Sequence, residues 1–142
     1  ERAEHYDVIV ANAILYGFTD DLFNSSLHNI AQALAPKGSL VAFDFFHPWE
    51  QDVELVEKSA HFPNGHPLHF RSYATASKAL RSAGFDEPQF SAFQIGIDLP
   101  DKGYASISTR TRVTTSGDRL MFRGCISQPW CHLVASKVAK NV

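Results

Sequence analysis

The chain has 142 residues, of which 44% are hydrophobic and 20% are charged, so its length and composition are those of one globular domain. Its formal net charge of −2 gives no basic excess to neutralise phosphates, and polar residues interrupt every long apolar run. We therefore expect neither nucleic acid nor a membrane as a partner. The chain begins at Glu1 rather than Met, and we expect it to be processed or to be part of a longer protein.

The first half of the chain predicts a strand, a helix and a second strand. Residues Tyr6–Leu15 form a continuous apolar run, which is typical of a parallel strand buried on both faces. Asp20 and Asp21 are candidate helix caps, and Ser39–Phe46 predicts the second strand. The helix between them has an apolar stripe of Phe23, Leu27, Ile30 and Leu34. This order predicts a parallel βαβ unit.

The segment from His47 to Phe70 is rich in Pro and Gly and reads as irregular, with a short helix over residues 50–58. A long connection of this kind is usually functional, such as a lid or a substrate loop. Residues Tyr73–Ala83 predict a second helix, with Gly84 as its C-terminal capping residue.

The last third of the chain predicts strands only. They cover residues 89–99, then a hairpin whose strands 104–115 and 119–124 flank Ser116–Asp118, and a closing strand over 131–138. Cys125 and Cys131, the two cysteines of the sequence, are expected to be buried thiols of a cytoplasmic protein.

Several nucleotide-binding and hydrolytic motifs are absent from the sequence. The eight glycines form neither G-x-G-x-x-G nor a Walker A loop, and neither G-x-S-x-G nor H-E-x-x-H occurs. The sequence therefore offers no glycine-rich cradle for a pyrophosphate.

Four histidines, His47, His61, His66 and His69, lie in the long connection. Pro and Gly intervene between them and no helical i, i+4 pair is formed, so we expect no metal site. His47 directly follows the second strand, where ligands bind in open α/β sheets. It is a candidate general base near pH 7, although a structural or substrate-lining role is the simpler interpretation.

Three residues follow the carboxyl end of the first strand: Asn12, Ala13 and Tyr16. Asn12 offers an amide, Ala13 lets a ligand approach the backbone, and Tyr16 offers a ring to a cation. The residues alone favour a structural interpretation, in which Asn12 caps the turn and Tyr16 packs on the helix.

The run from Tyr6 to Phe46 resembles the strand 4, helix D, strand 5 section of class I S-adenosylmethionine-dependent methyltransferases. The matching motifs are Asp7-Val8-Ile9 with Leu15, the acidic pair Asp20-Asp21, "L-x-P-x-G" at Leu34–Gly38, and Asp44. Further matches are "L-x-x-A-G-F" at Leu80–Phe85 and the closing strand PWCHLVASK.

This resemblance implies an α/β fold. It would be the C-terminal half of a Rossmann-like class I methyltransferase sheet, with parallel strands, a final antiparallel strand and an added β-hairpin. The family's glycine-rich loop and its acidic ribose-binding residue have no counterpart here, so residues 1–142 are expected to form a single, partial domain. The family's pair of histidines after strand 4 is replaced by Tyr16-Gly17.

The resemblance also implies roles for individual residues. Asn12 and Ala13 would line the methionine part of S-adenosylmethionine, with Tyr16 and Gly17 beside the reactive methyl group. The acceptor pocket would be lined by Phe45, Phe46, His47 and Trp49, with Trp130 near its rim.

The implied function is S-adenosylmethionine-dependent methyl transfer to a small-molecule acceptor, with this chain supplying the acceptor-side half of the site. The alternative is a non-catalytic half-domain for substrate recognition or partner binding. A nicotinamide oxidoreductase half shares the βαβ pattern but does not predict "L-x-P-x-G". We expect the chain alone to bind the cofactor weakly, and its first strand to pair with upstream residues or, if the chain is complete, with a second copy.

Overall fold

The computed structural model describes residues 5–101, 108–123 and 126–139. Its elements are β1 (Tyr6–Asn12), a 3-10 turn (Leu15–Gly17), α1 (Asp20–Ala33), β2 (Leu34–His47), β3 (Val53–Glu57), β4 (His66–Ser72), α2 (Tyr73–Ala83), β5 (Gln89–Ala92), β6 (Thr109–Val113), β7 (Arg119–Arg123), β8 (Ile126–Ser127) and β9 (Trp130–Ser136). One sheet has the order β3-β4-β2-β9-β5 with β1 also on β2, and a second sheet has the order β6-β7-β8.

The β1–α1–β2 unit has the predicted parallel pairing, with Val8 opposite Ser39 and Asn12 opposite Phe43. The helix cap differs from the prediction. Thr19 is the N-cap, and its hydroxyl accepts a hydrogen bond from the Leu22 N–H. Asp20 and Asp21 lie in the first turn instead, where a carboxylate is favoured by the helix dipole.

One face of the large sheet is covered by both helices. The predicted stripe of α1 packs there through Phe23 and Leu27, and α2 contributes Ala76 and Leu80. Both helices are amphipathic, so their apolar sides turn toward β2 and β9. Among the described residues, neither helix is long and apolar enough to cross a bilayer.

The opposite face of the sheet is uncovered near β1, so the prediction of a strand buried on both faces is wrong for the part of the chain described. The side chains of Val8 and Val10 are 55% and 67% exposed, whereas Ala11 is buried. Successive strand residues point to opposite faces, and both helices lie on the Ala11 side. Within the described ranges, β1 pairs with β2 alone. We call this surface the open face.

The connection after β2 contains two strands where an irregular segment with a helix was predicted. β3 and β4 are antiparallel, with Val53 opposite Phe70 and Glu57 opposite His66. The predicted helix over residues 50–58 is therefore wrong. A short apolar run does not by itself distinguish a helix from a strand. Here the segment is a strand because it pairs with β4.

The remaining predicted elements are present, some of them with different boundaries. α2 matches its predicted range, and Gly84 adopts a left-handed φ of 96° at its C-cap. β5 ends at Ala92 rather than at residue 99. The β6–β7 hairpin and the antiparallel β9 are confirmed. The start of the predicted hairpin over residues 102–107, and Cys125, lie outside the described residues.

Candidate functional site

The chain after β1 is held in place by the buried carboxylate of Asp44. Its Oδ2 accepts hydrogen bonds from the backbone N–H groups of Ile14 at 3.0 Å and Leu15 at 2.7 Å. Its Oδ1 accepts from the N–H groups of Tyr16 at 2.9 Å and Phe45 at 2.8 Å. Burial raises the pKa of Asp44, while these four donors act in the opposite direction. Three of these donors belong to consecutive residues after β1, so Asp44 fixes the turn that follows this strand.

This turn brings small and aromatic residues to the carboxyl ends of β1 and β2. Ala13 has a left-handed φ of 52°, which redirects the chain directly after the strand. The Tyr16 ring then stacks on the Phe45 ring, with centroids 4.8 Å apart. The site thus begins where ligands bind in open α/β sheets.

A cavity of about 380 Å³ lies over these residues, and we call it the aromatic cavity. Its rings are Tyr16, Phe45, Phe62, His66 and Trp130. His66 and Trp130 both meet the Tyr16 ring edge-on, at centroid distances of 6.1 and 6.3 Å. The volume and the aromatic lining suit a small organic ligand.

The polar part of the aromatic cavity is dominated by an ion pair between β3 and β7. The Arg123 Nε and Nη2 groups donate to the two carboxylate oxygens of Glu57, at 2.7 and 2.8 Å. The hydrogen bond from Arg123 lowers the pKa of Glu57, and Glu57 raises the pKa of Arg123. Burial raises the pKa of the Tyr16 hydroxyl, and the nearby carboxylates of Asp44 and Glu57 raise it further. Tyr16 is therefore a neutral phenol at physiological pH.

His47 and Trp49 line a different cavity, of about 340 Å³, together with apolar residues of β3 and β4. The His47 ring is 4% exposed, and its Nε2 lies 3.2 Å from the Phe70 carbonyl oxygen. Its Nδ1 has no hydrogen-bond partner among the described residues. The structure thus separates these two predicted site residues from Tyr16 and Trp130.

The other predicted residues have the following positions. Ala13, Tyr16, Phe45 and Trp130 line the aromatic cavity. Gly17 lies nearby, since a Cβ there would be 3.9 Å from His66 Cε1. Asn12 is exposed on the open face. Phe46 packs into the core beneath the helices, because adjacent residues of a strand face opposite sides and Phe45 occupies the cavity side.

Sequence reasoning missed Glu57 and Arg123, which are 66 positions apart and carry no shared motif. It also placed His66 in an irregular connection, whereas His66 begins β4 and its ring stacks on Phe62 with centroids 4.7 Å apart. No group of three or more metal-ligating side chains occurs within the described ranges.

Comparisons with known proteins identify the fold. No protein-family model matches the chain, and no curated protein matches it. A SAM-dependent methyltransferase structure from Methanosarcina mazei aligns with a TM-score of 0.59 and 12% identity, over 97% of this chain and 62% of that one. An S-adenosylmethionine-dependent methyltransferase from Mesorhizobium loti aligns with a TM-score of 0.55 and 20% identity, over 96% and 63%.

A third similar structure is the 1,6-didemethyltoxoflavin-N1-methyltransferase of Burkholderia thailandensis, with bound 1,6-didemethyltoxoflavin and S-adenosylhomocysteine. It aligns with a TM-score of 0.55 and 13% identity, over 97% of this chain and 46% of that one. The fold is thus an α/β fold of the type found in S-adenosylmethionine-dependent methyltransferases. The chain spans between 46% and 63% of the length of these three proteins.

Proposed function

We propose that this chain forms the acceptor-side half of an S-adenosylmethionine-dependent methyltransferase acting on a small molecule. The observation that carries the proposal is the aromatic cavity, which lies at the carboxyl ends of β1 and β2 in a methyltransferase-like fold. The neighbour that binds a small heterocycle and S-adenosylhomocysteine is consistent with both ligand classes.

The residues present fit one end of the cofactor. Ala13 and Tyr16 lie on the wall of the aromatic cavity, where a small side chain and an aromatic face suit a sulfonium methyl group. The sequence provides no glycine-rich turn and no acidic residue corresponding to the family's ribose partner. We therefore assign Ala13 and Tyr16 to the methyl end, with Asn12 and Gly17 as neighbouring candidates.

Held beside Ala13 and Tyr16, S-adenosylmethionine would supply an electrophilic methyl group to a lone pair of the acceptor, and its sulfur would leave as a neutral thioether. Such a displacement asks the protein mainly for alignment and for exclusion of water. The rings of Tyr16, Phe45 and Trp130 provide a dry, rigid wall for this purpose. His47 remains a candidate base, although it lines the second cavity.

The alternative, a partner-binding half-domain, is favoured by one separate observation. The open face presents Val8 and Val10 to solvent, and apolar sheet surfaces of this kind commonly meet another chain or segment. Methyl transfer and partner binding use different surfaces here, so each can be tested alone.

The test is methyl transfer from labelled S-adenosylmethionine by the complete natural protein, with small aromatic acceptors. We expect Tyr16→Ala to lower turnover at least about tenfold by removing one cavity wall. Tyr6→Ala, at an exposed position of β1, serves as the matched control and should leave turnover unchanged. Absence of both methyl transfer and S-adenosylhomocysteine binding would favour the partner-binding alternative.

A further inference from the structure

We infer that the ligand of the aromatic cavity is an uncharged, planar heteroaromatic molecule. This inference rests on the proposed function in taking the cavity as the acceptor site, and it names the class of that acceptor. It follows from three features of the cavity: its ring faces, its internally neutralised charges and a buried N–H group without a partner.

The rings define a flat binding space. Tyr16 and Phe45 stack on one another, Phe62 and His66 form a second stack, and all four line the same cavity. Aromatic faces gain most from a flat ligand that stacks or meets them edge-on. A volume of about 380 Å³ is near the lower end for ligand pockets, so one or two fused rings fit better than a larger system.

The opposite charges of Glu57 and Arg123 are paired with each other in the cavity wall. Glu57 and Arg123 form a bidentate pair, in which both carboxylate oxygens are engaged by guanidinium N–H groups. The two charges balance one another, so the pair adds no net charge to the cavity wall. An anionic ligand would meet the Glu57 carboxylate, and a cationic ligand would meet the Arg123 guanidinium. The pair therefore offers no unbalanced counter-charge to an anionic or a cationic acceptor.

Two further polar side chains of the described wall are uncharged. Thr109 and Gln128 contribute a hydroxyl and an amide, and their contact at 3.4 Å is long enough to be exchanged for a ligand contact. The indole Nε1 of Trp130 is buried without a hydrogen-bond partner in the part of the chain described. Leaving such a donor unpaired is unfavourable, and a ring nitrogen or carbonyl oxygen of a ligand would accept from it. These groups together match a heterocycle rather than a hydrocarbon.

The experiment measures binding to the full chain without cofactor. Quinazolin-4-one is the uncharged bicyclic probe, and quinoline-2-carboxylate is the anionic probe of similar shape. The readout is the indole N–H signal of Trp130 in a ¹⁵N-correlated spectrum, together with calorimetry. We expect quinazolin-4-one to move this signal saturably and quinoline-2-carboxylate to bind at least about tenfold more weakly.

Two variants test the causes separately. Glu57→Gln frees the Arg123 guanidinium and should raise affinity for quinoline-2-carboxylate at least about tenfold. Asp98→Asn is the matched control, because it opens an exposed Arg119 pair that does not line the cavity. Trp130→Phe keeps an aromatic ring but removes the N–H group, and should weaken quinazolin-4-one binding about fivefold.

The inference is overturned if the two probes bind the unmodified chain equally well, or if quinazolin-4-one leaves the Trp130 signal unmoved. It is also overturned if Glu57→Gln and Asp98→Asn change anion binding alike. The measurement contains no S-adenosylmethionine, so its failure would leave methyl transfer to another class of acceptor open. Conversely, probe binding without methyl transfer in the complete protein would contradict the proposed function alone.

Discussion

Asp44 shows how one side chain shapes the candidate site. Its carboxylate accepts four backbone hydrogen bonds, three of them from consecutive residues of the turn after β1. Without them, four buried or part-buried N–H groups would lose their partners, and the Tyr16 ring would lose its fixed position against Phe45.

We predict that Asp44→Asn lowers the free energy of unfolding by about 2–4 kcal/mol, since an amide offers one acceptor oxygen and leaves N–H groups unpaired. Urea unfolding followed by circular dichroism measures the loss. Asp86→Asn, at an exposed position, is the control and should change stability by less than about 0.5 kcal/mol. Equal effects of the two substitutions would contradict the structural role of Asp44.

The Glu57–Arg123 pair predicts a pH dependence. Arg123 holds the pKa of Glu57 below its usual value of 4.5. The folded-state pKa is lower than the unfolded one, so the pair contributes its full stability above about pH 4.5 and loses it as the pH falls through the lowered pKa. We expect a difference of about 1 kcal/mol between the unmodified chain and Glu57→Gln at pH 7, shrinking toward pH 3 in urea unfolding. A stability difference between the two chains that does not change with pH would contradict this role of the Glu57–Arg123 pair.

Cys131 is predicted to be an inert thiol. Burial, above all, raises its pKa, and its Sγ lies 3.7 Å from the Tyr73 hydroxyl. Little thiolate forms near neutral pH, and the thiol is inaccessible. In a Cys125→Ser variant, we expect no reaction with Ellman's reagent at pH 8 in the folded state and complete reaction in urea. Rapid labelling of the folded variant would show that Cys131 is exposed.

At the scale of elements, the contact between β1 and the start of β2 depends on a glycine. A Cβ at Gly38 would lie 2.9 Å from the Ala35 carbonyl oxygen, 3.0 Å from that of Tyr6 and 3.1 Å from that of Asp7. These are backbone atoms, which cannot rotate away as a side chain would. The glycine of the "L-x-P-x-G" motif therefore permits the close approach of two chain segments.

We expect Gly38→Ala to destabilise the chain by about 1–3 kcal/mol, because β1 must shift away from β2 to make room. Gly96→Ala is the control, since no atom lies within 4 Å of a Cβ at Gly96. Thermal and urea unfolding of both variants give the comparison. If Gly38→Ala is as stable as Gly96→Ala, the result would contradict the close packing of backbone atoms around Gly38.

At the scale of the whole molecule, the open face leaves one side of β1 without cover in the described part of the chain. Exposed apolar strands at an edge promote association. The sequence-based prediction that β1 pairs with upstream residues or a second copy stays a prediction.

We expect the isolated chain to self-associate as its concentration rises, and the double substitution Val8→Thr, Val10→Thr to reduce this while keeping strand propensity. Sedimentation velocity measures the association. Val113→Thr, on the exposed hairpin, is the control. An unmodified chain that stays monomeric, with the Val8–Ala13 amides of the free edge exchanging rapidly, would contradict the pairing prediction.

The same chain should bind S-adenosylmethionine weakly or not at all. The residues that fit the cofactor lie at its methyl end only, and the sequence has no glycine-rich turn for the rest. Calorimetric titration of the isolated chain should therefore give no saturable heat at micromolar concentration. Micromolar binding would mean that other residues build the site.

The sequence by itself determined the parts of the fold that depend on local pattern. Apolar periodicity and short links predicted β1, α1 and β2, and Ser116–Asp118 predicted the β6–β7 hairpin, because such signals act between residues close in sequence. The resemblance to class I methyltransferases placed Tyr16 beside the reactive methyl group, Phe45 in the acceptor pocket and Trp130 near its rim. In the structure all three line one cavity.

Only the tertiary structure decided which face of each strand meets the aromatic cavity. Phe45 and Phe46 are chemically alike, and their assignment to cavity and core depends on the side of β2 that the helices cover. The strands β3 and β4, the separation of His47 from Tyr16 and the Glu57–Arg123 pair likewise arise from contacts between distant segments. Such contacts are set by the packing of whole elements, which leaves no signal in a local stretch of sequence.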